Sequence, residues 1–153
     1  MLPKWHFLYG YIFSLFLLYF FKIGLFAGLI VFLASVFIDL DHVLLYFIKT
    51  KNLHPWKFYS WSMNRRNAWL KMSFNKKEKS KRPHFILHGV EFIIILSFLS
   101  VIHSFFLWIL LGVSFHLLLD IIELLYRKDH LSVKISQIWL WQRNKNRKES
   151  VLK

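Results

Sequence analysis

Asp, Glu and His recur in this chain at spacings that place them on common helix faces. Residues three or four apart share a face, and Asp39 with His42, His84 with His88, His88 with Glu91, and His116 with Asp120 all meet that condition. His6 stands alone near the start, and Asp41 falls on a different face from Asp39 unless the helix distorts there. The chain has no Cys, so thiolate sites, disulfides and Cys nucleophiles are excluded together. Imidazole and carboxylate donors without thiolate suit zinc first, then manganese or iron. The candidate ligands are His6, Asp39, Asp41, His42, His88, His116 and Asp120. They outnumber the four positions of one tetrahedral zinc site, which leaves room for one or two divalent ions. A plainer role competes, because polar side chains in apolar helices also hydrogen-bond helices to one another. That explanation suits a single His/Asp pair better than three pairs at one level. His54, His103 and His130 read as ordinary loop residues, and Glu123 as a carboxylate behind the ligands or at the rim.

The segments carrying these residues are very apolar. Of 153 residues, 56% are apolar and 20% aromatic, where soluble domains average about 45–50% apolar. The same figure excludes disorder. The net charge of +13 is segregated: apolar stretches 7–48 and 85–126 alternate with basic stretches 49–82 and 127–153. One crossing of a hydrocarbon core about 30 Å thick takes about 20 helical residues. Each apolar stretch has 42 residues, so each must fold back, at Lys22-Ile23-Gly24 and at Ile102-His103-Ser104. The expected fold is all-α: a polytopic membrane bundle with four transmembrane helices at 5–21, 25–48, 85–101 and 105–126. These form two hairpins in a membrane-embedded domain, 1–126, which includes a basic loop at 49–84. A basic tail follows at 127–153. Lys4 before an apolar run resembles a leader, but no small-x-small cleavage site precedes a soluble domain, so the first span is read as retained.

Lys and Arg set the orientation. The middle loop holds 11 basic residues and the tail 8, whereas the hairpin tips offer only Lys22 and His103. The positive-inside rule puts both termini and the loop in the cytoplasm. Acids and imidazoles in apolar helices are costly and need a partner or a purpose. His42 lies seven residues before Lys49, and Asp120 seven before Arg127, about 10 Å inside the cytoplasmic boundary at helical rise. His88 and Glu91 lie at about the same depth, and the outer halves of the spans hold almost no such groups.

Three segments also carry a resemblance: His6 with Gly10, Ile38-Asp39-Leu40-Asp41-His42, and Gly112-Val113-Ser114-Phe115-His116-Leu117-Leu118-Leu119-Asp120. In order and placement over most of 1–126 they resemble the inner-membrane family of membrane-bound metal-dependent hydrolases, related in motif to zinc-dependent phospholipase C-like proteins. That family has an early His, Pro-Asp-x-Asp-His ending the second span, a His motif opening the third, and Gly…His-x-x-x-Asp in the fourth. Here Ile38 replaces the Pro, and His84-Phe85-Ile86-Leu87-His88-Gly89-Val90-Glu91 replaces His-Arg-Gly-x-Thr-His-Ser. The resemblance implies His88 as the matching ligand, with Glu91 standing in for a lost one, and implies residence in the cell inner membrane.

The chemistry expected of such a set is hydrolysis, since a bound divalent ion lowers the pKa of a water ligand and polarises an ester oxygen. Glu91 or Asp41, if not a ligand, would be the general base. At this depth the substrate would be an amphiphile such as a lipid or lipid-linked phosphoester. The loop aromatics Trp56, Phe58, Tyr59, Trp61 and Trp69 interleave with Lys57, Arg65, Arg66 and Lys71, which suits an amphipathic segment on the membrane surface. Basic residues there would attract anionic lipid headgroups; the bland alternative is a loop that sets topology. Nucleic-acid binding ranks third, because charge alone suggests it. Residues 133–141 could form a further interfacial helix or a short strand. The competing functional class is a non-enzymatic multi-pass membrane protein whose polar cluster is structural, metal-binding or partner-binding. A conducting path would need polar groups through the full membrane depth, and the outer halves lack them.

Overall fold

The computed structural model describes residues 3–127, 129, 135–145, 147, 149 and 150. His130 and the first part of the 133–141 stretch lie outside the described residues. The described chain is all-α apart from one two-residue bridge. Its helices are α1 (Pro3–Phe20), α2 (Leu25–Phe37), α3 (Leu40–Thr50), α4 (Pro55–Leu70), α5 (Phe74–Lys79), α6 (Val90–Ile102), α7 (Ser104–Tyr126) and α8 (Gln137–Lys145). Strand β1 (Ser80–Lys81) pairs in parallel with β2 (Glu149–Ser150).

Helix α7 is the hub, packing on α2, α6 and α1, while α1 also packs on α2. The approach of α2 and α7 depends on Gly112, where a Cβ would meet the Val31 carbonyl oxygen and stand 2.9 Å from the Ala34 Cβ. Small residues allow such close backbone contact between apolar helices. Ile38, Leu96, Val113 and Leu117 form the buried apolar centre. Outside it the usual order is inverted: Leu25 is 79% and Val101 87% exposed, whereas His116 is fully buried.

Two helical stretches, Leu25–Thr50 and Ser104–Tyr126, are long and apolar enough to cross a membrane, and Val90–Ile102 is a shorter apolar helix. The first of these is not one regular helix. It turns at Ile38 and Asp39, where the Asp39 N–H donates back to Val36 and the His42 N–H to Asp39. The left-handed Lys51 (φ 54°) then closes α3.

Where a third span was expected at 85–101, the helix is Val90–Ile102, 13 residues long and not among the two long enough to cross a membrane. Residues 82–89 are non-helical because Pro83 lacks an N–H and distant side chains take the backbone donors. The Arg82 N–H donates to Asn144 Oδ1 and the Phe85 N–H to Gln137 Oε1, both on α8. His84, His88 and Glu91 therefore do not share one helix face as expected. The tail is correspondingly not a separate appendage: Leu140 of α8 is buried, and Gly89 lets α8 approach, since a Cβ there would stand 3.0 Å from Gln137 Cγ.

Candidate metal centre

Four elements bring imidazoles and carboxylates to one point. α1 supplies His6, the α2–α3 turn supplies Asp39 and His42, the coil before α6 supplies His88, and α7 supplies His116 and Asp120. His88 Nε2 lies 3.3 Å from Asp39 Oδ1 and 3.8 Å from Asp120 Oδ2. His116 Nε2 lies 3.6 Å from each of the same two oxygens. Donors 2.0–2.1 Å from a tetrahedral zinc ion are roughly 3.3 Å from one another, so these separations suit ligands around a common ion. His6 Nε2 stands 3.4 Å from Asp120 Oδ1, and His42 Nε2 stands 3.5 Å from Asp39 Oδ1. Each carboxylate thus faces more than one imidazole, and the set divides into three overlapping groups whose donor atoms lie within 4.8 Å of one another: His6, Asp39 and His116; Asp39, His42 and His88; His88, His116 and Asp120.

The tautomers follow from the partners on the far side of each ring. His116 Nδ1 is 2.7 Å from the Ser35 carbonyl oxygen. A carbonyl only accepts, so Nδ1 carries the proton and Nε2 keeps its lone pair for the centre. That Nε2 is buried with no hydrogen-bond partner. His88 Nδ1 is 2.9 Å from Asp41 Oδ2, which likewise turns Nε2 inward. Metal-bound histidines regularly donate the other N–H to a carbonyl or carboxylate that fixes the ring. The turn at residues 38–39 is what lets Asp39 and Asp41 address opposite nitrogens of the same ring, and it resolves the face mismatch that a straight helix would impose.

Charge points the same way. The carboxylates of Asp39, Asp41 and Asp120 face histidine ring nitrogens. Carboxylates facing neutral imidazoles in an apolar surround need a compensating positive charge, which a divalent ion supplies.

His6, His88, His116 and Asp120 form the buried side, with the His6 ring stacked on that of His116 at 4.0 Å. Asp39 (26% exposed) and His42 (34%) form the open side. They border a cavity of about 490 Å³ whose walls include Phe37, Phe58, Tyr59 and Met63, a volume in the range of small-molecule sites. Glu123 sits at the rim of this cavity, paired with Arg127 and 3.9 Å from Arg66.

Of the predicted ligands, His6, Asp39, His42, His88, His116 and Asp120 converge. Asp41 lies behind His88 and belongs to none of the donor groups among the described residues. Glu91 points elsewhere: it accepts from Ser136 Oγ at 2.5 Å and from the N–H groups of Gln137 and Ile138 at 3.2 and 3.1 Å. It therefore caps α8 instead of acting as base or replacement ligand. His84 meets Asn144, 3.0 Å away, and His103 caps α7 by accepting from the Phe105 N–H at 3.1 Å. The Ser35 carbonyl was not legible in the sequence, since a backbone atom leaves no residue-type signal.

The capping role of Glu91 has a measurable consequence. Hydrogen bonds to a charged group contribute about 1.5–3 kcal/mol each. Glu91→Ala is expected to speed amide exchange across residues 137–145 at least tenfold while leaving bound metal unchanged. Exchange measured by mass spectrometry beside elemental analysis checks this; loss of metal would return Glu91 to the cluster.

No family model, no curated protein and no solved structure matches this chain. What the fold and site define is a helical protein with a carboxylate–imidazole cluster able to hold a divalent ion.

Proposed function

We propose that this chain is a membrane-embedded metal-dependent hydrolase acting on a lipid or lipid-linked (phospho)ester at the cytoplasmic leaflet. In this reading α1, α2–α3, α6 and α7 are four spans in two hairpins, with both termini and loop 49–84 cytoplasmic, in the cell inner membrane. The observation that carries it is the orientation of two buried imidazoles: the Nδ1 atoms of His88 and His116 are tied to fixed oxygens, while both Nε2 atoms face Asp39 and Asp120. A purely structural His would spend its inner nitrogen on a helix contact, and His116 Nε2 makes none. The apolar exterior around a polar interior supports the membrane setting, and the motif resemblance supports the reaction class.

His88, His116, Asp39 and Asp120 would hold the ion, zinc first, with His6 and His42 placed to extend the set to a second. When bound, such an ion acidifies a water and polarises the ester oxygen. With a single ion bound, His42 Nε2, on the cavity wall 3.5 Å from Asp39, would be free of metal and placed to accept or return a proton. His116 and Asp120 are buried and His6, Asp39 and His42 line the cavity, so reactants enter from the cavity side. The apolar walls suit an acyl or isoprenoid chain.

Elemental analysis of purified protein, paired with a panel of lipid monoesters, diesters and carboxyl esters, tests this. The expected result is one or two divalent ions per chain, and hydrolysis that chelator removes and metal restores. Metal without turnover would favour the non-enzymatic reading, and absence of stoichiometric metal would overturn the proposal.

A further inference from the structure

A second cavity adjoins the first, and where the first mixes Asp39 and Glu123 with Arg66 and Arg127, the second carries cationic side chains without acids. It measures about 230 Å³ and is lined by Trp61, Arg65, Arg66, Trp69, Arg82 and Phe85, among others, with no Asp or Glu among its described lining residues. The Arg65 guanidinium lies 4.2 Å over the Trp61 ring, and that of Arg82 4.2 Å over Trp69. Stacking holds each planar fork in place and leaves its edge N–H groups for a ligand.

Arg82 is only 8% exposed, yet its Nε and Nη2 are buried with no hydrogen-bond partner. A guanidinium removed from water with donors unmet is costly. Burial pushes its pKa down to about 10; Asp129 opposes that shift, while Arg143 and Arg147 reinforce it. Asp129 is itself held 3.1 Å from Lys77. Arg66 approaches Glu123 only to 3.9 Å, and its Nε is also buried without a hydrogen-bond partner. Three guanidiniums line one small cavity that has no acid among its described lining residues, and they fit a tetrahedral oxyanion, because the fork presents parallel N–H groups to paired phosphate oxygens.

We propose that Arg65, Arg66 and Arg82 form a binding site for a phosphate group. His42, Ser62 and Arg66 line both this cavity and the one at the metal cluster. A phosphate seated here therefore places the rest of its molecule against the cluster, with an apolar chain along Phe37, Phe58 and Met63. This defines the substrate class as an amphiphile that keeps an anionic phosphate beyond the ester being cleaved. That last assignment rests on the hydrolase reading; the anion site does not.

The test is isothermal titration of the full chain in detergent after chelator treatment, using inorganic phosphate and dihexanoyl phosphatidic acid, with dihexanoyl phosphatidylcholine as the comparison. The native chain is expected to bind at least one of the two phosphate probes. Arg82→Gln and Arg65→Gln should each weaken that binding tenfold or more, and Lys79→Gln, an exposed charge outside both cavities, should leave it intact. Arg65 is the less buried of the two, so Arg65→Gln keeps the test decisive if Arg82→Gln fails to fold. Binding of inorganic phosphate supports a soluble phosphate or phosphoester as the source, and binding of phosphatidic acid alone supports a lipid headgroup. Titrations in which neither probe binds, or in which the Arg variants match the native chain, would overturn the site. Phosphate binding by a chain that takes up no metal would uphold the anion site while removing its assignment to substrate.

Discussion

His116→Ala is expected to strip the chain of stoichiometric divalent metal and to lower ester hydrolysis by more than about 100-fold, beyond the 10–100-fold typical of losing a residue behind the ligands. The reason is geometric. His116 Nε2 faces Asp39 and Asp120 at 3.6 Å each, and its Nδ1 is anchored to a carbonyl of the neighbouring helix, so the ring is held with its lone pair on the centre. Asp39→Ala should match it, because Asp39 Oδ1 lies within 3.3–3.6 Å of His42, His88 and His116. The two variants differ in structural risk: His116 is fully buried, whereas Asp39 is on the open side. Retained helical circular dichroism with lost metal in Asp39→Ala would place the effect at the site. Native metal content in both variants would refute the centre.

Asp41→Asn is the second large effect, and its form matters more than its size. Asp41 is not a member of any donor group among the described residues; it accepts from His88 Nδ1 at 2.9 Å. Asn can still accept that proton but carries no charge, so the ring stays oriented and becomes a poorer donor. Metal affinity should fall about 10–100-fold, while kcat at saturating metal should stay within about tenfold of native. Metal titration followed by activity at saturation separates the two quantities. If activity remained abolished at saturating metal, Asp41 would instead be the proton acceptor that the sequence alone suggested. Acidification should weaken metal binding in both chains, because imidazole must be deprotonated to ligate.

Residue type and local spacing made part of this site legible. His116 and Asp120 lie on one uninterrupted helix, where i,i+4 geometry holds without outside help, so their pairing could be read directly. The all-α class followed from two long apolar stretches. The third element was misread for an identifiable reason: side chains of α8, more than fifty residues away, take the Phe85 and Arg82 N–H groups and hold His88 in a non-helical turn. Nothing within 82–91 announces that. Glu91 was drawn to the wrong task for the same reason, since its partners at 136–138 are distant in sequence.

The sequence by itself determined which chemistry is available: imidazole and carboxylate without thiolate, placed toward the basic ends of apolar stretches. Those are properties of residue type and short-range periodicity, and neither depends on how helices pack. Only the tertiary structure decided which atom faces which. The turn at Ile38 and Asp39, the Ser35 carbonyl behind His116 and α8 docked on residues 82–91 turn two ring nitrogens inward, set Asp41 behind His88 and direct Glu91 to the start of α8. Such choices depend on contacts between segments tens of residues apart, whose geometry is fixed by packing and leaves no mark in local sequence.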